Sequence, residues 1–169
     1  MANYLALIAG RLKEIAGLVT SSGAGDAGKI PALDSSGKLD VSLLPSGLGP
    51  STKSIGASED LSAGNLVNVW NDAGTVKVRK ADATAVGKEA NGYVLAGVTS
   101  GNNATVYFDD ELTGLTSLTP GARYYLSAAS PGAIVSTPPS TTGNVVQFVG
   151  IAVSDTSIIF EAGEPVELA

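Results

Sequence analysis

The spacing of apolar residues changes twice along this 169-residue chain. From residue 3 to residue 20 they recur at alternating intervals of three and four, which is typical of an amphipathic helix with a coiled-coil seam. From about Ser54 onward, apolar and polar residues alternate with a period of two, as in half-buried strands. Between these segments, from Gly28 to Pro45, the apolar residues follow no regular period. The pattern therefore predicts three regions.

The first region, residues 1–22, is predicted to be a helix whose seam consists of Leu5, Ile8, Leu12, Ile15 and Val19. Leucine at the a positions with isoleucine at the d positions shifts coiled coils from dimers toward three or four strands. Gly10 and Gly17 each weaken the helix by about 1 kcal/mol relative to alanine. Such a short helix is marginal by itself, so it is expected to form a trimeric coiled coil or to anchor the chain in a groove of a partner.

The second region, residues 23–54, is predicted to be an extended, Gly/Pro-rich stalk. Pro31 and Pro45 each remove a backbone donor and prevent a helix from continuing. A segment of this length cannot enclose its own apolar side chains, so they are expected to become buried only against identical copies or a partner surface. These side chains belong to Ile30, Leu33, Leu39, Val41, Leu43 and Leu44. A flexible linker is the alternative that Gly, Ser and Asp also suit.

The third region, residues 55–169, is predicted to be an antiparallel β-barrel or sandwich, which makes the whole chain mainly β. Within LVNVWNDAGTVKVRK, alternating valines flank the turn residues Asn71 to Gly74, which indicates a hairpin. In ATVYF, Ala104, Val106 and Phe108 are predicted to point inward. Further short strands follow at intervals of 8–12 residues, as is common in sandwiches and barrels.

A weak internal repeat is visible within this third region. Leu61-x-x-Gly64 is similar to Leu118-x-x-Gly121 at an offset of 57 residues, and TVYF (105–108) is similar to SIIF (157–160). We also align LAGV (95–98) with FVGIA (148–152) at an offset of about 53 residues. The repeat predicts two similar halves, which close on each other and so protect their sheet edges.

Composition limits the chemistry that this chain can perform. It has no cysteine and no histidine, so thiolate chemistry, disulfides, the usual general base and the commonest metal ligand are all missing. We therefore expect no enzymatic activity, no cofactor and no metal site. Residues 54–169 carry five basic and twelve acidic residues, and this net charge of −7 disfavours nucleic acid as a partner. No apolar run approaches the roughly 20 residues of a membrane span.

Three local motifs have a simpler explanation than a binding site. Gly23, Gly25, Gly28 and Lys29 match two glycine-rich phosphate-binding patterns, but a predicted helix precedes them and a proline follows, where those sites need a strand and then a helix. The acidic run Asp109–Glu111 is expected to be a solvated loop rather than a calcium site. The tyrosines and Trp70 are expected to pack within the β region rather than to form a sugar-binding face.

The sequence DAGKIPALDSSGKLDVSLLP resembles a short module of tailed-phage fibre and head-fibre proteins, in which it precedes a globular β domain. The resemblance is carried by Gly28, Lys29, Leu33, Asp34, Gly37, Lys38, Leu39, Asp40, Ser42 and Pro45. It covers 20 of the 169 residues and concerns architecture more than the identity of a partner.

Residues 60–160 resemble the β domain of phage capsid-decorating and head-fibre proteins. This resemblance is carried by Val67, Gly74, Val76, Arg79, Ala81, Gly97, Leu118, Pro120, Gly121, Tyr125, Leu126, Pro131, Gly132, Gln147, Gly150 and Ala152. It implies a non-enzymatic and usually trimeric protein. Related modules also end tail fibres, so the resemblance does not distinguish head from tail.

Taken together, these features predict a structural protein of the virion. We expect a homotrimeric head fibre or cement protein, made in the host bacterial cytoplasm, that attaches to the major capsid protein through its helix and stalk. Its β domain is expected to face outward on the capsid surface, with no contact to nucleic acid or membrane. The alternative is a tail-fibre or receptor-binding module that contacts host surface glycans.

Overall fold

The structure is a computed structural model that describes residues 3–44 and 49–169, and it divides the chain into two compact units, Met1–Gly49 and Pro50–Ala169. The described residues are mainly β and contain no α-helix. The boundary between the units falls earlier than the predicted end of the stalk at residue 54. That position lies inside strand β3, which spans Thr52–Ala57.

The predicted N-terminal helix is wrong, because this segment forms an antiparallel hairpin. Strand β1 spans Asn3–Ile8 and strand β2 spans Arg11–Ala16, with Ile8 opposite Arg11. The two residues between them, Ala9 and Gly10, both have positive φ, at 51° and 76°. This combination is a type I′ turn, whose twist matches that of the paired strands.

The reason for the difference lies in the dipeptide at the turn. The intervals of three and four between apolar residues extend over barely two heptads, and a helix across them would have to include Gly10 and Gly17. A two-residue turn at Ala9 and Gly10 instead lets every residue of β1 pair with a residue of β2. The proposed seam is then divided, because Leu5 and Leu12 lie on one face of the hairpin while Ile8 and Ile15 lie on the other.

The segment predicted to be an extended stalk folds back on itself over its described part. Leu18 pairs with Pro31 in a parallel bridge, with the Leu18 amide donating to Ile30 and the Ala32 amide donating to Leu18. Two single turns of 3₁₀-helix, Ala24–Asp26 and Val41–Leu43, reverse the chain further. Pro45, which ends the stalk motif, lies outside the described residues.

The second unit begins with a closed barrel of five strands, in the order β3-β5-β4-β6-β7. Every pair is antiparallel except β3 with β5, where Gly56 and Ala57 run parallel to Lys77 and Val78. The prediction for residues 55–169 was an antiparallel barrel or sandwich. These five strands confirm a barrel for the first part of that region, and it is antiparallel apart from this one seam. The strands that follow β3 are β4 (Leu66–Asp72), β5 (Thr75–Lys80), β6 (Gly92–Tyr93) and β7 (Asn103–Tyr107).

The remaining strands form an antiparallel sheet of five strands in the order β10-β9-β12-β13-β8, and a two-stranded sheet of β11 with β14. The five-stranded sheet consists of β8 (Glu111–Leu112), β9 (Arg123–Leu126), β10 (Ile134–Val135), β12 (Phe148–Ala152) and β13 (Ile158–Phe160). The small sheet consists of β11 (Val145–Val146) and β14 (Val166–Glu167).

The two five-stranded assemblies have the same topology. When each is taken in chain order, its second strand lies between its third and fourth, and its fifth strand lies beside its first. Leu61 and Leu118 begin equivalent turns, in which Asn65 donates to Ser62 and Ala122 donates to Thr119. The difference is that β3 pairs with β5 and closes the barrel, whereas the second sheet stays open between β8 and β10.

One part of the predicted repeat was aligned incorrectly. Gly92 pairs with Val67 on β4, and Gly150 pairs with Tyr124 on β9, so these glycines are equivalent at an offset of 58 residues. The structural counterpart of GIA (150–152) is therefore GYV (92–94) and not LAGV. The pairing of TVYF with SIIF agrees with the positions of β7 and β13.

Two apolar cores lie on opposite sides of β4 and β6. Leu66 and Tyr93 pack into a core shared with the second sheet, whereas Val67 and Val94 pack into the barrel interior. Ala104 and Val106 are buried in the same barrel interior and Phe108 packs against it, as predicted. Because consecutive residues of β4 and β6 face different cores, these strands join the two halves into one unit.

Gly92 and Gly150 leave no room for a side chain at the point where a neighbouring strand crosses. A Cβ on Gly92 would collide with the Tyr107 carbonyl and lie 2.9 Å from Val106 Cγ1. A Cβ on Gly150 would collide with the Ile159 carbonyl and lie 3.1 Å from Ile158 Cδ1. Both collisions involve backbone atoms, which cannot rotate away.

We expect Gly92→Ala and Gly150→Ala each to lower the free energy of unfolding by about 2–3 kcal/mol, because overpacking forces the paired strands apart. Gly97→Ala is the matched control, since Gly97 is exposed and its Cβ would meet its nearest atom at 3.6 Å. Denaturant unfolding measures all three variants. A cost at Gly97 equal to that at the other two positions would contradict this explanation.

Candidate functional site: an exposed apolar surface

One face of the hairpin is an apolar surface made by Leu5, Leu7 and Leu12, which we call the leucine face. Leu7 lies directly opposite Leu12, and Leu5 lies opposite Glu14, so the three leucines point to the same side. Between 71% and 75% of each leucine is exposed. Water therefore covers three large apolar side chains that lie side by side.

The opposite face of the hairpin turns toward the rest of the first unit. Tyr4 lies opposite Ile15, and both are half-buried. The Tyr4 hydroxyl donates to the Pro31 carbonyl at 3.4 Å, a long hydrogen bond. A two-stranded hairpin has two faces, and here the chain covers only this one.

The polar residues of the stalk motif form turns rather than a site. The Asp34 carboxylate accepts hydrogen bonds from the amides of Ser36 and Lys38, at 2.8 and 2.9 Å. The Asp40 carboxylate accepts from the Ser42 amide at 2.9 Å, and hydrogen bonding from Ser42 lowers the pKa of Asp40. These are Asx turns, in which the side chain replaces a backbone acceptor.

The apolar residues around these turns are in contact with water. Among the apolar side chains of residues 3–44, only that of Ala32 is buried. The exposed side chains beyond the hairpin belong to Ile30, Leu33, Leu39, Val41 and Leu44. The first unit is therefore held together by hydrogen-bonded turns and strand pairing, with little apolar interior of its own.

Most of the residues predicted to mediate oligomerisation or anchoring are exposed in this unit. They are Leu5, Ile8, Leu12, Ile30, Leu33, Leu39, Val41 and Leu44, while Ile15, Val19 and Leu43 are half-buried. Sequence reasoning missed Leu7, because the heptad pattern assigned it no role. The signal that would have found it is the alternation of Leu5 and Leu7 before the Ala9-Gly10 turn.

The glycine-rich segment does not form a phosphate cradle. The carboxylate of Asp26 accepts from the Ser22 amide and pairs with the Lys29 ammonium, both at 2.6 Å. Hydrogen bonding from Lys29 is the largest of the effects that lower the pKa of Asp26. The lysine that would contact a phosphate is therefore paired with a carboxylate, and the helix that such a motif needs does not follow.

In the acidic run of the second unit, the carboxylates of Asp109 and Asp110 accept hydrogen bonds from backbone amides. The Asp109 carboxylate accepts from the Ser51 amide at 2.7 Å, and the Asp110 carboxylate accepts from the Glu111 amide at 2.8 Å. Within residues 3–44 and 49–169, no three His, Cys, Asp or Glu side chains are grouped so that they could hold a metal ion.

The aromatic side chains support the cores and do not form a common platform. Tyr93 is buried, stacks on Tyr107 at 5.4 Å and contacts the edge of Phe160 at 5.3 Å. The Arg79 guanidinium lies 4.7 Å above the ring of Trp70. Tyr124 is buried, and its hydroxyl accepts from the Thr119 amide.

A cleft of about 670 Å³ lies beside the open seam of the second sheet, between the chain after β8 and the edge of β10. Leu115, Ser117 and Leu118 line one side, and Ile134 and Ser136 line the other. None of its lining residues carries a formal charge, and its polar groups are backbone atoms, hydroxyls and the Asn65 side chain.

Comparisons with known proteins found no counterpart: no protein-family model, no curated protein and no solved structure matches this chain. Among the residues that the structure describes, no helix has the length and apolar character needed to cross a bilayer.

Because Tyr93 is buried, the free energy of unfolding is expected to fall as the pH rises above about 10. Burial, followed by the nearby charge of Asp110, raises the pKa of Tyr93 from 10.0 to about 12, and its hydroxyl donates to the Asp109 carbonyl at 2.9 Å. Below pH 10 the tyrosine is protonated in both the folded and the unfolded chain, so its contribution is constant. Between pH 10 and 12 the unfolded chain releases this proton more readily, so stability falls.

We expect Tyr93→Phe to flatten this fall between pH 10 and 12, at the cost of about 1 kcal/mol at neutral pH for the lost hydrogen bond. Denaturant unfolding measured across that pH range tests it. Tyr125→Phe, which alters a half-buried ring on the same fold, is the control. An unchanged slope in Tyr93→Phe would show that Tyr93 is not the group responsible.

Proposed function

We propose that this protein is a structural component of a tailed-phage particle, a homotrimeric head fibre or cement protein that decorates the capsid. The first unit assembles with two sister copies and docks on the major capsid protein, and the second unit faces outward. The observation that carries this proposal is the leucine face, together with the other apolar side chains that a single chain leaves in water.

The energetic argument is that such a surface is costly for a monomer. Burying one leucine side chain is worth roughly 1.5–3 kcal/mol, so the three adjacent leucines, together with the other exposed apolar side chains of the first unit, favour association. The hairpin also leaves the outer edges of β1 and β2 without a neighbouring strand among the described residues. Unpaired edges favour pairing with another chain.

The number and nature of the partners rest on the resemblances of the stalk motif and the β region. Phage proteins with these features are usually trimeric and not enzymatic, and the absence of cysteine and histidine is consistent with that expectation. The acidic second unit suits an outward position, because mutual repulsion keeps neighbouring copies soluble.

We expect the triple variant Leu5→Ser, Leu7→Ser and Leu12→Ser to convert a trimer into a monomer at micromolar concentration, because it removes the apolar area that drives assembly. Light scattering measures the mass. The matched control replaces Val76, Val86 and Val166, three exposed valines of the second unit, with serine and should remain trimeric. A monomeric wild-type chain would disprove assembly through this face.

The attachment site is tested on intact particles. Labelled antibody against the second unit should mark the head, and a chain lacking residues 1–49 should fail to bind particles that lack the protein. Label confined to the tail would contradict capsid decoration and favour the tail-fibre alternative. Retained binding without residues 1–49 would disprove anchoring through the first unit.

A further inference from the structure

A row of four side chains crosses the outer face of the second sheet. Arg123 on β9 lies opposite Ile151 on β12, Ile151 lies opposite Ile159 on β13, and Ile159 lies opposite Glu111 on β8. We call these four residues the outer row. The next positions along the same strands, Ala152, Ile158 and Leu112, face inward and are buried.

The centre of the outer row is apolar and open to water. Ile151 and Ile159 are adjacent, and they are 44% and 46% exposed. Val153, two residues beyond Ile151, is exposed as well. The sheet therefore presents an apolar strip along its middle strands.

The ends of the outer row carry opposite charges that do not meet within one chain. Strands are spaced about 4.8 Å apart, so the backbones at Arg123 and Glu111 are about 14 Å apart. The Arg123 guanidinium lies 4.6 Å above the ring of Phe148, which orients it. Within the described residues, neither Arg123 nor Glu111 forms an ion pair.

Across the sheet, the outer row runs from a positive residue through two apolar residues to a negative one. A second copy turned end for end would therefore place opposite charges together and apolar residues together. If a two-fold axis runs parallel to the strands between β12 and β13, two such sheets pack face to face. Arg123 of one copy then lies opposite Glu111 of the other, and Ile151 lies opposite Ile159. Face-to-face packing of aligned sheets is a common arrangement, and a two-fold interface repeats each contact.

From this register we infer that the outer row is a self-association surface, through which the second unit pairs weakly with a second copy of the chain across a two-fold axis. The area is small, below the roughly 1,200 Å² of a stable interface, so the contact depends on high local concentration. It does not depend on the leucine face or on a role in a phage. Each trimer would carry three copies of the outer row, so the contact would join a trimer first to one neighbour and, at higher concentration, to further trimers.

Charge-reversal variants test the contact, because pairing of Arg123 with Glu111 and general repulsion between copies predict different changes in association. Sedimentation velocity of the full chain at up to about 100 µM should show the mass doubling, from trimer to hexamer or, if the leucine face is inactive, from monomer to dimer. Arg123→Glu and Glu111→Arg should each weaken this step about tenfold, and the double variant should restore it.

The net charge of the chain is −6, so Arg123→Glu increases and Glu111→Arg decreases the general repulsion between copies. If net charge alone controlled association, Glu111→Arg would strengthen it, and that result would overturn the inference. As controls, Lys53→Glu and Glu164→Lys make the same two charge changes on exposed residues outside the second sheet. They should leave the pairing of Arg123 with Glu111 across the interface unchanged. Salt at 0.15 M shortens the range of repulsion to about 8 Å.

Disulfide trapping provides a second measurement, which is unambiguous because the chain has no cysteine. In a mixture of Ile151→Cys chains with Ile159→Cys chains, the two-fold register should form the mixed disulfide several times faster than either homodisulfide. Random collision in an equimolar mixture already forms the mixed disulfide about twice as fast as either homodisulfide. A ratio no higher than that, or no doubling of mass in the wild-type chain, would disprove the two-fold contact.

Discussion

The first unit cannot cover both faces of its hairpin, and this shortage of apolar interior governs how the unit can exist. A two-stranded sheet is stable only when one face packs against something else, and here Tyr4 and Ile15 occupy the covered face. The leucines on the other face remain in water for as long as the chain is alone. Whatever partner the first unit meets must therefore present an apolar surface.

The second unit solves the same problem internally, by duplication. Two assemblies with one topology share β4 and β6 as a common wall: the barrel encloses its own apolar residues on one side, and residues of both halves form the second core on the other. Gln147 strengthens the junction: its buried amide accepts from the Ala90 amide at 2.8 Å and donates to the Ala90 carbonyl at 2.9 Å. A side chain thus pairs with a backbone where strand pairing stops.

The two halves differ in how their first and third strands pair, so that the first half is a closed barrel and the second is an open sheet. The first half closes where β3 runs parallel to β5. In the second half, the chain after β8 bonds instead to the loop before β13, with the Leu115 amide donating to Thr156. The edge of β10 is left beside a cleft, and the outer face of the sheet is left to water.

The sequence by itself determined the features that depend on near neighbours. The turn at Ala73-Gly74, the alternation of Ala104 and Val106 and the β character of residues 55–169 follow from local patterns, and the structure agrees with each of them. The repeat was found by comparing distant segments, and the shared strand order agrees with it. Ala9-Gly10 forms the same kind of turn and offers a similar local signal. It was not predicted, because the apolar spacing over about two heptads favoured a helix.

Only the tertiary structure decided which faces are covered, which seam closes, and that Leu7 belongs with Leu5 and Leu12. It also placed Arg123 and Glu111 at the two ends of one row, although they are twelve positions apart in the sequence. The physical reason is that strand register depends on pairing between distant segments. A shift of one residue would turn every side chain to the opposite face, and no local pattern excludes that shift.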